Sequence, residues 1–364
     1  MFLSLLAGDR WSLAADGLRQ TSKCFQGHLQ AVCSVLIILQ VTLRVTARAS
    51  CSPTVERLVS AAAMQVYYAD HHAVPLPAGH RFPMAKYALL KQWLLERKLL
   101  TPAELFPSDP APLEAVRLAH TPEYVDGVMS GSLSPKLLRG LGFPWSKELV
   151  ARSLASVGGT LSAARAALRD GIAGNLAGGT HHAYPDRGEG FCVFNDLGIT
   201  ALQLLKEVLV QRVLILDLDV HQGNGTAVML AAEPRAFTCS LHGQKNYPFQ
   251  KEQSDLDVGL PDGTSDDEYL AALRSALALS LQKSRPQLIL YQAGVDALKG
   301  DRFGRLALTH AGLAERDRLV LQTAHSQGIP IALTLGGGYA EPIEASVLAY
   351  VGTYQVAREI YGNV

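Results

Sequence analysis

Short apolar segments recur along this 364-residue chain with helical segments between them, and this alternation constrains the fold more than any other feature. Strands are predicted at 64–68, 174–176, 213–216, 236–240, 287–291 and 331–335. Helices are predicted at 89–99, within 115–130, and at 146–169, 197–208, 266–283, 309–326 and 342–361. Such alternation predicts a single α/β domain, a central parallel sheet flanked by helices on both faces with long loops at the carboxyl ends of its strands.

Residues 1–63 lack this pattern and are predicted to be an N-terminal extension. They are either a genuine extension, ordered or not, or upstream sequence that is not part of the native protein. The second interpretation is favoured because strand-like sequence begins directly after Met64. The apolar run 31–43 is shorter than the ~20 residues of a spanning helix, and its leader is too long for a secretory signal. No membrane span and no signal peptide are predicted.

Charge and cysteine content restrict the partners. Lys plus Arg and Asp plus Glu number 33 each, so nothing indicates direct nucleic-acid binding or electrostatic capture by a membrane. The five cysteines form no CxxC pair, which favours reduced thiols and a cytoplasmic protein. The oligomeric state stays open.

The strand 213–216 runs directly into Asp217-Leu218-Asp219-Val220-His221. Because side chains alternate along an extended backbone, Asp217, Asp219 and His221 are predicted to share one side. The carboxyl end of a parallel strand is where such sheets bind ligands. Asp219 and His221 offer one oxygen and one nitrogen, a pair suited to Zn²⁺ or Fe²⁺.

A third metal ligand is predicted at Asp296, which follows the strand 287–291 at an equivalent height. Two aspartates and one histidine leave coordination positions open for water and substrate, as catalytic sites do. The competing interpretation is that these carboxylates cap loops or pair with Arg and Lys. Capping or ion pairing explains the carboxylates at one strand end well, but it is a weaker explanation for carboxylates at both strand ends.

Two further segments carry residue types used in acyl chemistry. His181 and His182 lie in a glycine-rich loop that follows the predicted strand 174–176, and they are predicted to be an acid/base pair. Asp217 and Asn224 are the available partners for their rings. Tyr339 follows three glycines and could donate its hydroxyl to a developing oxyanion. Glycine-rich turns also bind phosphates, so this turn is weak evidence alone.

Five blocks of the sequence occur in the order found in the histone deacetylase family, which the chain resembles from about Met64 to its C-terminus. They are His181-His182, Gly190-Phe191-Cys192, Asp217-x-Asp219-x-His221, Gly294-x-Asp296 and Gly336-Gly337-Gly338-Tyr339. Details such as His80-Arg81-Phe82-Pro83-Met84 and Pro261-Asp262-Gly263-Thr264 are most similar to the class IV branch and its bacterial relatives.

The resemblance implies an arginase/deacetylase-like fold for residues 64–364 and a zinc-bound water as nucleophile. It implies that Zn²⁺, with Fe²⁺ as an alternative, binds to Asp219, His221 and Asp296. The implied catalytic residues are His181, His182 and Tyr339. The implied substrate tunnel is formed by Phe191, Gly190 and Gly337. It also implies a structural K⁺ held by Asp217 and the backbone around Asp219, His221, Ser240 and Leu241.

Two positions depart from the class I pattern. Asn224 stands where those enzymes have an aspartate that orients the second histidine, so His182 should be less readily protonated here. The loop after His242 does not show which aromatic, Tyr247 or Phe249, forms the second wall of the tunnel.

The predicted reaction is hydrolysis of the amide of N-acyl-lysine side chains in proteins, as in histone deacetylation. An acetylpolyamine or another small acylated amine is the alternative substrate, since it presents the same amide on a similar chain. An arginase-type enzyme would need a second Asp-x-His-x-Asp cluster, which the chain lacks. A non-catalytic acyl-lysine-binding protein should have lost a ligand, a histidine or the tyrosine, and all are present.

Overall fold

Eight parallel strands form one sheet. The structure is a computed structural model that describes residues 64–362. Across the sheet the strand order is β2-β1-β3-β8-β7-β4-β5-β6. The strands are β1 (Gln65–Tyr68), β2 (Leu105–Pro107), β3 (Ile172–Asn175), β4 (Val213–Asp217), β5 (Ala236–Gly243), β6 (Leu256–Leu260), β7 (Leu288–Gln292) and β8 (Ile331–Thr334). Every neighbouring pair is parallel, which confirms the predicted fold class.

Helices connect these strands and cover the sheet. They are α1 (Ala85–Glu96), α2 (Leu113–Ala119), α3 (Pro122–Ser130), α4 (Pro135–Leu141), α5 (Lys147–Asp170), α6 (Asp196–Lys206), α7 (Asn224–Leu230), α8 (Asp266–Ser284), α9 (His310–Ser326) and α10 (Glu344–Tyr361). Local sequence sets the ends of α5. The Ser146 side chain accepts a hydrogen bond from the backbone N–H of Leu149 at 3.0 Å, and Gly171 ends the helix at φ 87°.

Strand β4 is central and buried on both faces. Leu214 and Leu216 belong to the apolar core on one face of the sheet, whereas Val213 and Ile215 belong to the core on the other. This alternation continues past the strand, because Leu218 and Val220 join the core of Leu214 and Leu216. The polar residues between them therefore lie on the opposite side, as predicted.

Several elements differ from the prediction. The segment 115–130 forms two helices, because Thr121-Pro122 begins a new one with the Thr121 hydroxyl as its N-cap. Segments predicted as loops contain α4, α7 and β6, and β2 is too short to show a pattern. Helix α1 begins four residues before its predicted start.

The extension 1–63 and the apolar run 31–43 lie outside the described residues. Within 64–362, none of the helices combines the length and apolar character needed to cross a membrane.

Candidate active site

Three buried side chains converge at the carboxyl ends of β4 and β7. Asp219, His221 and Asp296 each offer a ligand atom, and these atoms all lie within 4.8 Å of one another. The Nδ1 atom of His221 lies 3.0 Å from Asp219 Oδ1 and 3.0 Å from Asp296 Oδ2. Two carboxylates and an imidazole in this arrangement fit a divalent ion such as Zn²⁺ or Fe²⁺.

The electrostatics of this cluster favour a cation. Burial alone would lower the pKa of His221, but Asp219 and Asp296 raise it to about 10. Burial and the neighbouring Asp219 carboxylate raise the pKa of Asp296 to about 7. The cluster therefore holds excess negative charge in a dry environment, which a bound metal ion would neutralise.

The carboxylate oxygens that face away from His221 are held by other groups. Asp219 Oδ2 accepts hydrogen bonds from the Gly337 N–H at 2.7 Å and from Gln292 Nε2 at 3.0 Å. Asp296 Oδ1 accepts one from the Val220 N–H at 2.9 Å. These bonds orient the carboxylates before any ion binds.

The two histidines of the glycine-rich loop lie beside this cluster, with ring centroids 4.1 Å apart. His181 Nδ1 lies 2.6 Å from Asp217 Oδ2, and His182 Nδ1 lies 2.6 Å from Asn224 Oδ1. The structure thus pairs each ring with its predicted partner. One histidine has a carboxylate partner and the other a neutral amide.

Tyr184, which was not predicted as a site residue, sets the tautomer of His182. Its hydroxyl donates to Glu252 Oε1 at 3.1 Å and accepts from Asn224 Nδ2 at 2.9 Å. Asn224 therefore presents its oxygen to His182, so Nδ1 of His182 carries the proton and Nε2 is free to accept one. Only its position two residues after the histidine pair could have suggested this role.

The pKa values of the two histidines are displaced in opposite directions. Burial lowers the pKa of a histidine, but Asp217 and Asp219 outweigh it and raise the pKa of His181 to about 9. For His182, burial and the neighbouring His181 and His221 lower the pKa well below its usual value. One ring of the pair is suited to remain protonated and the other to remain neutral.

Tyr339 lies at the same end of the sheet, after β8. Its ring centroid is 4.9 Å from that of Phe303 and 6.3 Å from that of Phe191. Beneath its loop lies Lys86, a fully buried lysine whose ammonium donates to Gly336 O at 3.0 Å and to Gly338 O at 3.4 Å. Sequence reasoning missed Lys86 because it comes from α1, about 250 residues away.

A cavity of about 830 Å³ opens above these groups and is lined by Asp219, His221, the histidine pair and Tyr339. Phe191 and Tyr247 both line it. The Tyr247 ring packs edge-on against His182 at 5.0 Å, and its hydroxyl donates to Glu189 at 2.7 Å. Phe249 also lines the cavity but is 85% exposed. Of the two candidates for the second wall, Tyr247 is therefore the one against the histidines.

Two of the predicted tunnel residues are glycines because the backbone there has no room for a side chain. A Cβ atom on Gly337 would lie 1.7 Å from Asp296 Oδ2, and one on Gly190 would lie 2.6 Å from the His182 ring. Phe191 itself has φ 67°, a conformation that costs energy for a bulky residue. The chain bends sharply here so that the Phe191 ring faces the cavity.

The residues predicted to hold K⁺ lie on β4 and β5 and the segment after β4. The register of these strands pairs Asp217 with Ser240, and Leu241 follows. Asp217 Oδ1 also accepts a hydrogen bond from the Asp219 N–H at 3.2 Å. The structure thus brings the side chain of Asp217 next to the predicted backbone segments.

Comparison with known proteins agrees with this geometry. Residues 80–354 match the family model described as the histone deacetylase domain. An uncharacterized protein of Picosynechococcus sp. is 45% identical over 296 residues, covering 81% of this chain and 98% of that protein. The chain therefore belongs to the histone deacetylase family.

More distant relatives share part of their length or the fold. Histone deacetylase 2 of Arabidopsis thaliana is 37% identical over 186 residues, 50% of this chain and 48% of that protein. The match thus spans about half the length of the plant protein. The crystal structure of an HDAC homolog complexed with SAHA superposes with a TM-score of 0.71 and 25% identity, covering 83% of this chain and 85% of that one.

Proposed function

We propose that this protein hydrolyses the amide of N-acyl-lysine side chains in a metal-dependent reaction. One observation carries the proposal: the ligand atoms of Asp219, His221 and Asp296 lie within 4.8 Å of one another, and Asp219 and His221 line the same cavity as the histidine pair. Membership of the histone deacetylase family supports hydrolase chemistry of the deacetylase type.

The three-residue cluster would hold Zn²⁺, and Fe²⁺ fits the same ligands. When bound, such an ion would polarise the acyl carbonyl and make water at the site more acidic. Within residues 64–362, three side chains form this ligand set, which would leave coordination positions for water and substrate.

Side chains of the protein carry out the proton transfers and stabilise the negative charge that develops. His182 is neutral with Nε2 unprotonated, so it accepts the proton of the attacking water. His181, whose pKa is about 9, stays protonated and stabilises negative charge, and the leaving amine receives its proton from the histidine pair. The hydroxyl of Tyr339 donates to the oxyanion that develops on the acyl carbonyl.

The cavity suits a long neutral side chain. Phe191 and Tyr247 both line the cavity and offer aromatic surface along which the methylene stem of an acyl-lysine would pack. Gly190 and Gly337 keep the passage to the metal ligands open, since neither position has room for a side chain.

A structural K⁺ is part of the proposal. It would lie against Asp217, Ser240, Leu241 and the backbone of Asp219 and His221. The pairing of Asp217 with Ser240 supports this position, and an ion there would stabilise the strand end that carries the zinc ligands.

We assign the activity to residues 64–364 as one deacetylase domain, with residues 1–63 as an extension outside it. Cys192 and Cys239 are buried free thiols, which supports a reducing compartment and a cytoplasmic location.

The test is a metal-reconstituted assay of the full chain with acetyl-lysine peptides, longer acyl-lysine peptides and acetylated polyamines as substrates. Asp219→Ala, which removes one metal ligand, is the blank. We expect release of the acyl group from the peptides by the wild type alone. Turnover that persists in the blank, or the absence of turnover with every substrate, would overturn the proposal.

A further inference from the structure

Five basic residues line the mouth of the catalytic cavity: Arg81, Arg139, Lys245, Arg302 and Arg305. They come from four separate segments, namely the β1–α1 loop, α4, the β5–β6 loop and the β7–α9 loop. We call this set the cationic rim. The whole chain has equal numbers of basic and acidic residues, so the rim is a local concentration of charge.

Carboxylates neutralise only part of this rim. Among the cavity-lining residues the single carboxylate is the buried Asp219, which belongs to the metal cluster. Two rim cations have partners, at 3.4 Å for Arg302 with Glu341 and 3.3 Å for Arg305 with Asp262.

The other three cations are exposed and uncompensated. Within residues 64–362 no carboxylate lies at ion-pair distance from Arg81, Arg139 or Lys245. The nearby Glu189 is already engaged by Arg187 at 2.7 Å and by the Tyr247 hydroxyl. Each of the three is therefore free to pair with a ligand.

The rim is held in place by hydrogen bonds between its loops. The buried Asn246 donates to Phe303 O at 2.6 Å and accepts from the Arg305 N–H at 3.3 Å. Lys251 donates to Asn246 O at 2.6 Å. The loop that carries Lys245 is thus tied to the loop that carries Arg302 and Arg305.

Two of these cations are linked through one aromatic ring to Tyr339, the proposed oxyanion donor. The guanidinium carbons of Arg81 and Arg302 lie 5.8 and 5.9 Å from the centroid of the Phe303 ring. That ring in turn packs on Tyr339 at 4.9 Å. Groups that flank the acylated chain at the cavity mouth would therefore experience a positive potential, which a narrow cleft concentrates.

We propose that the cationic rim selects acyl-lysines in acidic segments of proteins, with Asp or Glu beside the modified lysine. This inference rests on the proposed deacylase function and names its substrate class. The same charge disfavours substrates that present cations next to the amide, which applies to acetylated polyamines and to lysines in Lys/Arg-rich segments.

The test uses the metal-reconstituted full chain and peptides of equal length that differ only in the residues flanking one acetyl-lysine. The flanks are acidic, neutral or basic, and an acetylated polyamine is included. Dissociation constants come from fluorescence anisotropy and kcat/KM from release of acetate. At low salt we expect the acidic peptide to have a dissociation constant about tenfold lower and a kcat/KM about tenfold higher than the neutral peptide. Both differences should be lost near 1 M salt, where the screening length is about 3 Å.

A pair of variants isolates the rim. Arg81→Gln, Arg139→Gln and Lys245→Gln together should reduce the preference for the acidic peptide to less than about threefold. Lys136→Gln, Arg274→Gln and Lys283→Gln together remove the same charge from exposed positions outside the cavity lining, and this variant should keep the preference. Within the control variant, Lys136 closely matches the rim residue Arg139, because both lie on α4.

Several results would overturn the inference: equal values for acidic and neutral peptides, a preference for the basic peptide or the polyamine, an equal loss in the control variant, or tighter binding of a single-stranded oligonucleotide than of the acidic peptide. Hydrolysis of the neutral peptide tests the proposed function separately. If no peptide is hydrolysed, the proposed function fails, and the dissociation constants still test the rim.

Discussion

The Nδ1 atom of His182 lies 2.6 Å from the amide oxygen of Asn224. The adjacent His181 has the same 2.6 Å contact with a carboxylate of Asp217. Two neighbouring rings thus differ in one partner group, an amide against a carboxylate. That difference accompanies pKa values displaced in opposite directions from the ordinary value of a histidine.

Asn224→Asp should therefore raise the pKa of His182, because a carboxylate beside the ring favours its protonated form. A general base acts only when unprotonated, so the rising limb of kcat/KM should move to higher pH. The measurement is the pH profile of kcat/KM on an acetyl-lysine peptide. Tyr184→Phe, which removes the hydroxyl that orients Asn224 without adding charge, should lower the rate and leave the limb in place. An unchanged limb in Asn224→Asp would exclude His182 as the base.

Tyr339→Phe should lower kcat with little change in KM, because the lost hydroxyl contacts the oxyanion of the transition state and not the substrate stem. The loss should be about 2 to 4 kcal/mol, or about 30- to 1000-fold in kcat. Phe303→Leu is a suitable control, since it alters packing against the Tyr339 ring and keeps the hydroxyl. Undiminished turnover in Tyr339→Phe would rule out the oxyanion role.

Lys86→Met should disturb the loop that positions Tyr339. The buried ammonium donates to Gly336 O and Gly338 O, and its loss leaves two buried carbonyls without that partner, at a cost of about 1 to 3 kcal/mol in stability. We expect kcat to fall about tenfold with KM little affected.

A matched control lies on the same helix. Lys91 pairs with Asp70 at 2.6 Å and does not line the cavity, so Lys91→Met should change stability and leave kcat near the wild-type value. Lys86→Arg should recover part of kcat, since it keeps the charge and the donors. Equal kcat in Lys86→Met and Lys91→Met would show that Lys86 has no positioning role.

The metal cluster could be predicted from the sequence because its residues follow strong local patterns. Val213 to Leu216 form an apolar, buried strand, polar and apolar residues then alternate from Asp217 to His221, and Asp296 follows the neighbouring strand in the sheet. Position on a parallel strand end is enough to bring such residues together. The same reasoning recovered the partners Asp217 and Asn224, which lie near the ligands in the chain.

Residues that act through long-range packing could not be predicted in this way. Lys86 lies in the first turn of α1, where a lysine would ordinarily face solvent, and only the tertiary fold brings its ammonium to the Gly336–Gly338 backbone. The cationic rim also could not be predicted from the sequence, because its five members come from four separate segments and the net charge is zero.

His120 predicts how stability depends on pH. This buried histidine accepts a hydrogen bond from the Asn195 N–H at its Nε2 atom, 3.0 Å away, and burial lowers its pKa to about 4. The unfolded chain has an ordinary histidine pKa of about 6.5. Between these values the unfolded state binds a proton that the folded state does not. The contribution of the neutral, buried His120 to stability is therefore complete above about pH 6.5 and is lost as the pH falls toward 4.

We expect His120→Gln, which keeps an acceptor but cannot titrate, to flatten this dependence. The difference in the free energy of unfolding between pH 7 and pH 5 should be about 2 kcal/mol smaller in the variant than in the wild type. Urea unfolding at the two pH values measures it. His310→Gln, at an exposed histidine on α9, should retain the wild-type dependence. If His120→Gln retains it as well, the protonation of His120 does not contribute to acid unfolding, and other buried groups such as His242, whose pKa burial also lowers to about 4, must account for the loss.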